Sequence, residues 1–230
     1  MLTKKPNKIV SIIALLIILL LLIIKVFGIF KIFNVSENSM NPSLEIGTNL
    51  LTTNIINVNL NDVIVFNHND SLLGLENEVY AFRIIGKSND TIQLKKGIVY
   101  RNGRELTNIE TAHDYKVNRS EYSLLKNKGR IISDYDMKKM IGDSLFVSLS
   151  DKVAKDNNLT SRRFTIPKTG TDNYIKQVYG QNWNKDFFGP LVISEGKYFV
   201  MGDNRDNAND SRFIGLIDKK QIIGTVITKW

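Results

Sequence analysis

The chain has no cysteine, two histidines and four prolines in 230 residues. The first absence rules out disulfide bonds and thiolate metal sites and leaves the redox compartment open. With His68 and His113 as its sole imidazoles, the chain offers little to a histidine-rich metal centre, and neither a metal site nor a cofactor is expected. Acidic residues are the scarcer charge: 23 Asp and Glu stand against 31 Lys and Arg, for a net charge of +8. Such a surplus suits an anionic lipid surface or a nucleic acid where the basic residues cluster. Here they fall in small scattered groups such as Lys4-Lys5, Lys95-Lys96 and Arg162-Arg163, with no aromatic-interleaved basic stretch, so no nucleic-acid partner is expected. Internal repeats and low-complexity tracts are also missing. What remains fits one domain of fair size, or a smaller one with an insertion, once a membrane segment is set aside.

The long apolar run extends from Ile9 to about Phe30, interrupted by Ser11, Lys25 and Gly28. At about 1.5 Å per residue it reaches roughly 30 Å, the thickness of a bilayer's hydrocarbon core. Lys4, Lys5 and Lys8 precede it, which keeps the N-terminus in the cytoplasm and sends everything after Phe30 across the membrane. Lys25 and Lys31 snorkel toward the far interface and weaken that asymmetry without reversing it. Val26-Phe27-Gly28-Ile29-Phe30 contains no small-x-small cleavage site, so residues 1–30 read as a cytoplasmic tip and a retained single-pass anchor in the cell membrane.

Beyond the anchor, short runs of branched and aromatic residues predict strands at Asn49 to Thr53, Asp62 to Phe66, Val79 to Ile85, Thr91 to Leu94, Ile98 to Tyr100, Lys197 to Met201 and Gln221 to Lys229. Asn102-Gly103 is the strongest hairpin cue. Asn67-His68-Asn69-Asp70 reads as a turn. Charged and amide residues dominate residues 104–186, where Ser133 to Met140 and Ser144 to Lys155 have helical spacing. The expected organisation is a β core in two parts, residues 31–103 and 187–230, with 104–186 inserted as a variable subdomain.

Two blocks carry chemistry. The first is Ser39-Met40-Asn41-Pro42-Ser43-Leu44, just past the anchor, and the second is Gly202-Asp203-Asn204-Arg205-Asp206-Asn207-Ala208-Asn209-Asp210-Ser211-Arg212-Phe213-Ile214-Gly215. Alone, Ser39 is an ordinary turn serine before a proline. With the second block downstream and an anchor upstream, the chain resembles the bacterial type I signal peptidases. That resemblance implies a mainly β fold, an antiparallel signal-peptidase-like sheet domain with an inserted subdomain, tethered by one transmembrane helix. It implies Ser39 as the nucleophile of a Ser/Lys dyad, with its own N–H contributing to the oxyanion hole and Met40 facing the membrane. Glu37, where some members add a hydroxyl, is a poor oxyanion donor. Arg83 matches the family's arginine after the lysine. Asp203, Asn204, Arg205, Asp210 and Arg212 form a bracing block, and Ser211 matches the serine that orients the lysine.

The lysine itself is missing. Where the family has Tyr-x-Lys-Arg-x-Ile-Gly, this chain has Tyr80-Ala81-Phe82-Arg83-Ile84-Ile85-Gly86, so Phe82 stands in the general-base position. Arg83 stays protonated at neutral pH and cannot replace it. Lys87 needs a bulge to reach the same place, and His68 and His113 lie outside the motif. By resemblance the chain is a membrane-bound serine endopeptidase that removes signal peptides from secretory preproteins after small residues, the extended peptide docking beside a strand. The alternative is a catalytically impaired paralogue that binds preproteins or a partner peptidase without turnover. Ser39 favours the first reading and Phe82 the second.

Overall fold

A computed structural model describes residues 8–70, 74–132, 140–141 and 144–230. The apolar run folds as helix α1 (Lys8–Val26), none of it buried against the rest of the protein. Gly28, at φ +55°, ends it: its N–H donates to the Lys25 carbonyl and the Ile29 N–H to the Ile24 carbonyl. The helix is therefore shorter than the run expected to span the membrane, because Phe30 already begins the first strand.

In chain order the strands and helices are β1 (Phe30–Asn34), β2 (Asn49–Thr53), β3 (Val63–Asp70), β4 (Leu75–Lys87), β5 (Thr91–Lys95), β6 (Ile98–Arg101), β7 (Arg104–Glu105), β8 (Ala112–Val117), α2 (Arg119–Asn127), β9 (Met140–Ile141), β10 (Ser144–Ser150), α3 (Asp151–Asp156), α4 (Asn173–Tyr179), β11 (Phe188–Val192), β12 (Lys197–Met201), α5 (Ser211–Ile214), β13 (Ile217–Asp218) and β14 (Ile222–Lys229). They form a seven-stranded sheet ordered β1-β2-β14-β3-β4-β12-β13, a four-stranded sheet β11-β5-β6-β7 and a three-stranded sheet β8-β10-β9. The strand pairings are antiparallel. The expected mainly β architecture is present, and Asn102-Gly103 turns β6 into β7 with φ of 52° and 77°.

Two local expectations fail for a shared reason. Asn67 to Asp70 is strand, not turn, because β3 runs on against β4 with His68 opposite Glu78. Ser144 to Ser150 is strand, not helix, because Leu145, Val147 and Leu149 alternate into a cluster with Tyr115 and Val117. Pairing with a neighbouring strand outweighs local preference in both. Helix α3 follows, capped where the Ser150 hydroxyl accepts from the Val153 N–H at 3.2 Å. The helical reading of Ser133 to Met140 lies outside the described residues except at Met140, which starts β9.

Three apolar clusters hold these sheets. One joins Ile64, Phe66, Phe82, Ile84, Val200 and Met40 in the large sheet, and another joins Ile85, Ile92, Phe188 and Phe199. The third lies between β8, β10, α2 and α3. Ile175 of α4 belongs to the second cluster, so the latter part of residues 104–186 packs on the core instead of on the small sheet.

Candidate active site

Ser39 sits in a single 3-10 turn, Asn38–Met40, between β1 and β2. Asn204 anchors that turn: its backbone N–H donates to the Ser39 carbonyl at 3.0 Å, and its side-chain amide donates to the Asn38 carbonyl at 3.1 Å. The Asn204 side-chain oxygen accepts from the Ser148 hydroxyl at 3.2 Å, linking the turn to the small sheet. The Asn41-Pro42 peptide that follows is cis. At the start of such a turn the Ser39 N–H has no intrahelical acceptor, which leaves it able to face a developing oxyanion. Glu37, which precedes the turn, makes no capping bond with its side chain. Met40 does not face the membrane: it is 1% exposed and packs in the large-sheet core, because the turn points it inward against that sheet.

Ser39 lines a cleft of about 430 Å³ whose walls are Phe33 to Glu37 on one side and Glu78 to Ala81 on the other. Main-chain pairing explains the opening. Strand β1 is the outermost strand of its sheet, bonded on one side to β2 and, at Val35, to Gly47 and Thr48, and β12 takes up the second edge of β4 only from Arg83 onward. Along Glu78 to Phe82 that edge has no strand partner among the described residues. The cleft lies between two extended segments that each leave one backbone edge without a strand partner among the described residues, the geometry that accepts an added strand.

Behind the serine, Phe82 is 1% exposed; its ring stacks on Tyr80 at 5.6 Å and lies 5.9 Å from Phe66. Gly202 is where these parts meet. A Cβ placed on it would stand 2.5 Å from the Ser39 carbonyl and 3.4 Å from the Phe82 ring, and would collide with Ala208, so only glycine permits this approach. The groups around the phenyl ring are apolar, and among the described residues no lysine or histidine lines the cleft. Lys87 is exposed at the end of β4, opposite Tyr198. His68, on β3, has its ring 6.2 Å from that of Tyr80.

The second signature block divides its charges. Arg83 grips fully buried Asp203, donating from Nε at 2.8 Å to one carboxylate oxygen, and also donates to the Asn61 carbonyl at 2.8 Å and the Ser43 hydroxyl at 3.2 Å. Burial pulls the Arg83 pKa down, but the bonds and charge of Asp203 raise it overall. Asp210 caps α5 and binds Arg212 through two contacts of 2.8 Å. Ser211 has its hydroxyl committed to the Val200 N–H at 2.9 Å, so it braces β12. The residue that packs beside Gly202 is Ala208. Arg205 does not join the alternating ion pairs: its backbone N–H donates to the Ala112 carbonyl at 2.9 Å, and its side chain makes no protein hydrogen bond among the described residues.

Comparison with known proteins decides the lineage, since the model of the family described as "Signal peptidase, peptidase S26" matches residues 8–230. The chain belongs to that family. It is 30% identical to a signal peptidase I of Bacillus amyloliquefaciens, over 83% of this chain and 70% of that protein. It is 29% identical to signal peptidase I of Buchnera aphidicola over 75% of this chain, spanning 54% of that protein, about half its length. A crystal structure of a signal peptidase I from Enterococcus faecalis is 20% identical and aligns over 76% of this chain and all of that one, with a TM-score of 0.37.

In this family member a polar cluster within residues 104–186 belongs to no motif. Asp151 accepts hydrogen bonds from the ring of His113 (2.7 Å), the hydroxyl of Tyr115 (2.8 Å) and the hydroxyl of Thr111. Burial alone raises the Asp151 carboxyl, but the bonds and charge of His113, with the Thr111 and Tyr115 hydroxyls, hold it at about 2. Burial lowers the His113 pKa. The every-second-residue spacing of Thr111, His113 and Tyr115 at and just before β8 was the available signal.

Proposed function

We propose that this chain is a membrane-anchored serine endopeptidase that removes signal peptides from secretory preproteins, with Ser39 as its nucleophile. The observation that carries this reading is Ser39 on the wall of a cleft between two segments with open backbone edges. An extended preprotein segment adds to the free edge of β4, and its main-chain bonds fix the register while the cleft selects small side chains beside the scissile bond. The Ser39 oxygen then bonds to the scissile carbonyl carbon. The C–N bond breaks, the hydroxyl proton leaves with the new amine, and water releases the acyl group by the reverse sequence. The Ser39 N–H steadies the oxyanion, while Asn204 and the Arg83–Asp203 pair hold the turn and β4 in register.

We also assign Phe82 to the family's base position, which makes turnover slow, because a positioned base contributes typically 10²- to 10⁴-fold. Phe82 is the one observation favouring the second reading, a protein that holds preproteins with negligible turnover. Titrating a labelled preprotein into the detergent-solubilised chain and following both binding and product separates the two: a new N-terminus after a small-x-small site supports the peptidase, and saturable binding without product supports the holder.

The domain lies outside the cytoplasm, with α1 as its single span and Lys8 at the cytoplasmic end. Lipid is the partner at the anchor's exit. Phe27, Phe30, Ile32 and Ile55 are exposed there, Ile32 at 62% and Ile55 at 67%, and the Asn54 N–H donates to the Ile29 carbonyl, tying the second loop to the anchor.

A further inference from the structure

A second pocket, of about 370 Å³, opens where the small sheet meets β6 and the signature block, lined in part by Thr111, His113, Tyr115, Asp151, Arg163 and Arg205. Its charges do not balance. The carboxylates of Asp151 and Glu105 face three cations, Lys155, Arg163 and Arg205, so the lining carries one more positive charge than negative, and Asp151 already accepts hydrogen bonds from Thr111, His113 and Tyr115. Of the three cations, Arg163 and Arg205 are the ones withdrawn from full exposure. Neither guanidinium makes a hydrogen bond or ion pair with the protein among the described residues, and the Nε of each is buried without an acceptor. Arg205 is 7% exposed, and burial together with the nearby charge of Arg212 brings its pKa down to about 10. Buried guanidinium groups ordinarily find anionic partners, since an unpaired buried charge is costly.

We propose that this pocket is a binding site for a small tetrahedral oxyanion, phosphate or a phosphate monoester, held between the guanidinium forks of Arg163 and Arg205. A carboxylate offers two oxygens and satisfies one fork, whereas a phosphoryl group offers three or more oxygens and up to two negative charges, which matches two. The volume exceeds that of the bare ion and leaves room for a small esterified group. The site communicates with the cleft through the chain itself: Arg205 follows Asn204, whose N–H holds the Ser39 carbonyl at 3.0 Å.

The test is thermal unfolding of the full chain in detergent, titrated with inorganic phosphate, with glycerol phosphate, and with acetate and chloride at matched ionic strength. Expected is a saturable rise in Tm with phosphate or its ester and none with acetate or chloride. The phosphate arm alone identifies the free ion, and a tighter ester arm identifies an esterified ligand. Arg163→Gln removes no protein hydrogen bond seen in the structure; it should fold, be no less stable without phosphate, and bind phosphate about tenfold or more weakly. Arg163→Lys keeps the charge, loses the fork and should fall between. A rise of equal size with acetate or chloride, absence of any saturable rise, or an unchanged phosphate response in both Arg163 variants would overturn the assignment. Phosphorus NMR line broadening on the unaltered chain gives the same decision without a variant.

Discussion

Replacing Phe82 with lysine sets catalytic gain against folding cost, and both are open to estimate. The phenyl ring is 1% exposed, stacked on Tyr80 at 5.6 Å and close to Phe66 at 5.9 Å. A lysine stem fills part of that volume, so lost packing costs about 1 to 2 kcal/mol, below the 3 to 5 kcal/mol typical of full truncation to alanine. Burying the amine costs more: moving its pKa from about 10.4 to near 7 forgoes about 4 to 5 kcal/mol at pH 7. The sum is a large part of the 5 to 15 kcal/mol that stabilises an ordinary domain, so Phe82→Lys should be folded but markedly less resistant to urea. The same depressed pKa supplies a neutral amine behind Ser39. Cleavage of a preprotein should rise about 100-fold or more, with an acid limb in the pH profile of kcat/KM between about pH 6 and 8. Phe82→Met, which keeps the site apolar, should show neither change. A folded Phe82→Lys protein no faster than Phe82→Met would refute the placement of the base behind Ser39.

Three further outcomes follow from particular contacts. Arg83→Met leaves the fully buried Asp203 without its partner and should cost about 3 to 5 kcal/mol in urea unfolding; a loss under about 1 kcal/mol would show that the pair does not hold β4 to the signature block. The fold should weaken in acid in two stages: His113 has a lowered pKa when folded, so its contribution is complete above about pH 6.5 and declines below it, while Asp151, at about 2 against an ordinary value near 3.9, contributes above about pH 4 and loses that contribution toward pH 2. Tm measured from pH 8 to pH 3 should show both stages, with the upper one absent in His113→Gln. A reporter fused after Trp230 should be active outside the cytoplasm, and its protection from external protease in spheroplasts would reverse the assigned orientation.

Much of this was legible from residue order because the decisive signals are local. The run after Lys8, the branched residues of Asn49 to Thr53 and the Asn102-Gly103 turn each specify their own element without help. The Ser39 turn and the signature block were readable as blocks, and the fold brings Asn204 onto Ser39 across the sheet. What escaped depended on partners distant in sequence. Asn67 to Asp70 looks like a turn until β4 pairs with it, and Ser144 to Ser150 looks helical until β8 does. Met40 was expected at the lipid face and is buried, because the direction of a side chain on a 3-10 turn is set by the sheet beneath it. His113 had no motif around it, yet it bonds to Asp151 at 2.7 Å across the small sheet. The unpaired state of Arg205 was hidden by the apparent regularity of alternating charges, which the fold resolves as Asp203 with Arg83 and Asp210 with Arg212.

The most direct measurement is the rate at which the purified, detergent-solubilised chain cleaves a model preprotein, set beside its Ser39→Ala variant with both shown to be folded. The Ser39 hydroxyl contributes little packing, so the variant should keep its fold while losing activity by several orders of magnitude. The unaltered chain should cleave slowly and specifically after a small-x-small site, and Ser39→Ala not at all. Equal cleavage by the two proteins, or no cleavage by the unaltered chain even at stoichiometric enzyme, would contradict this.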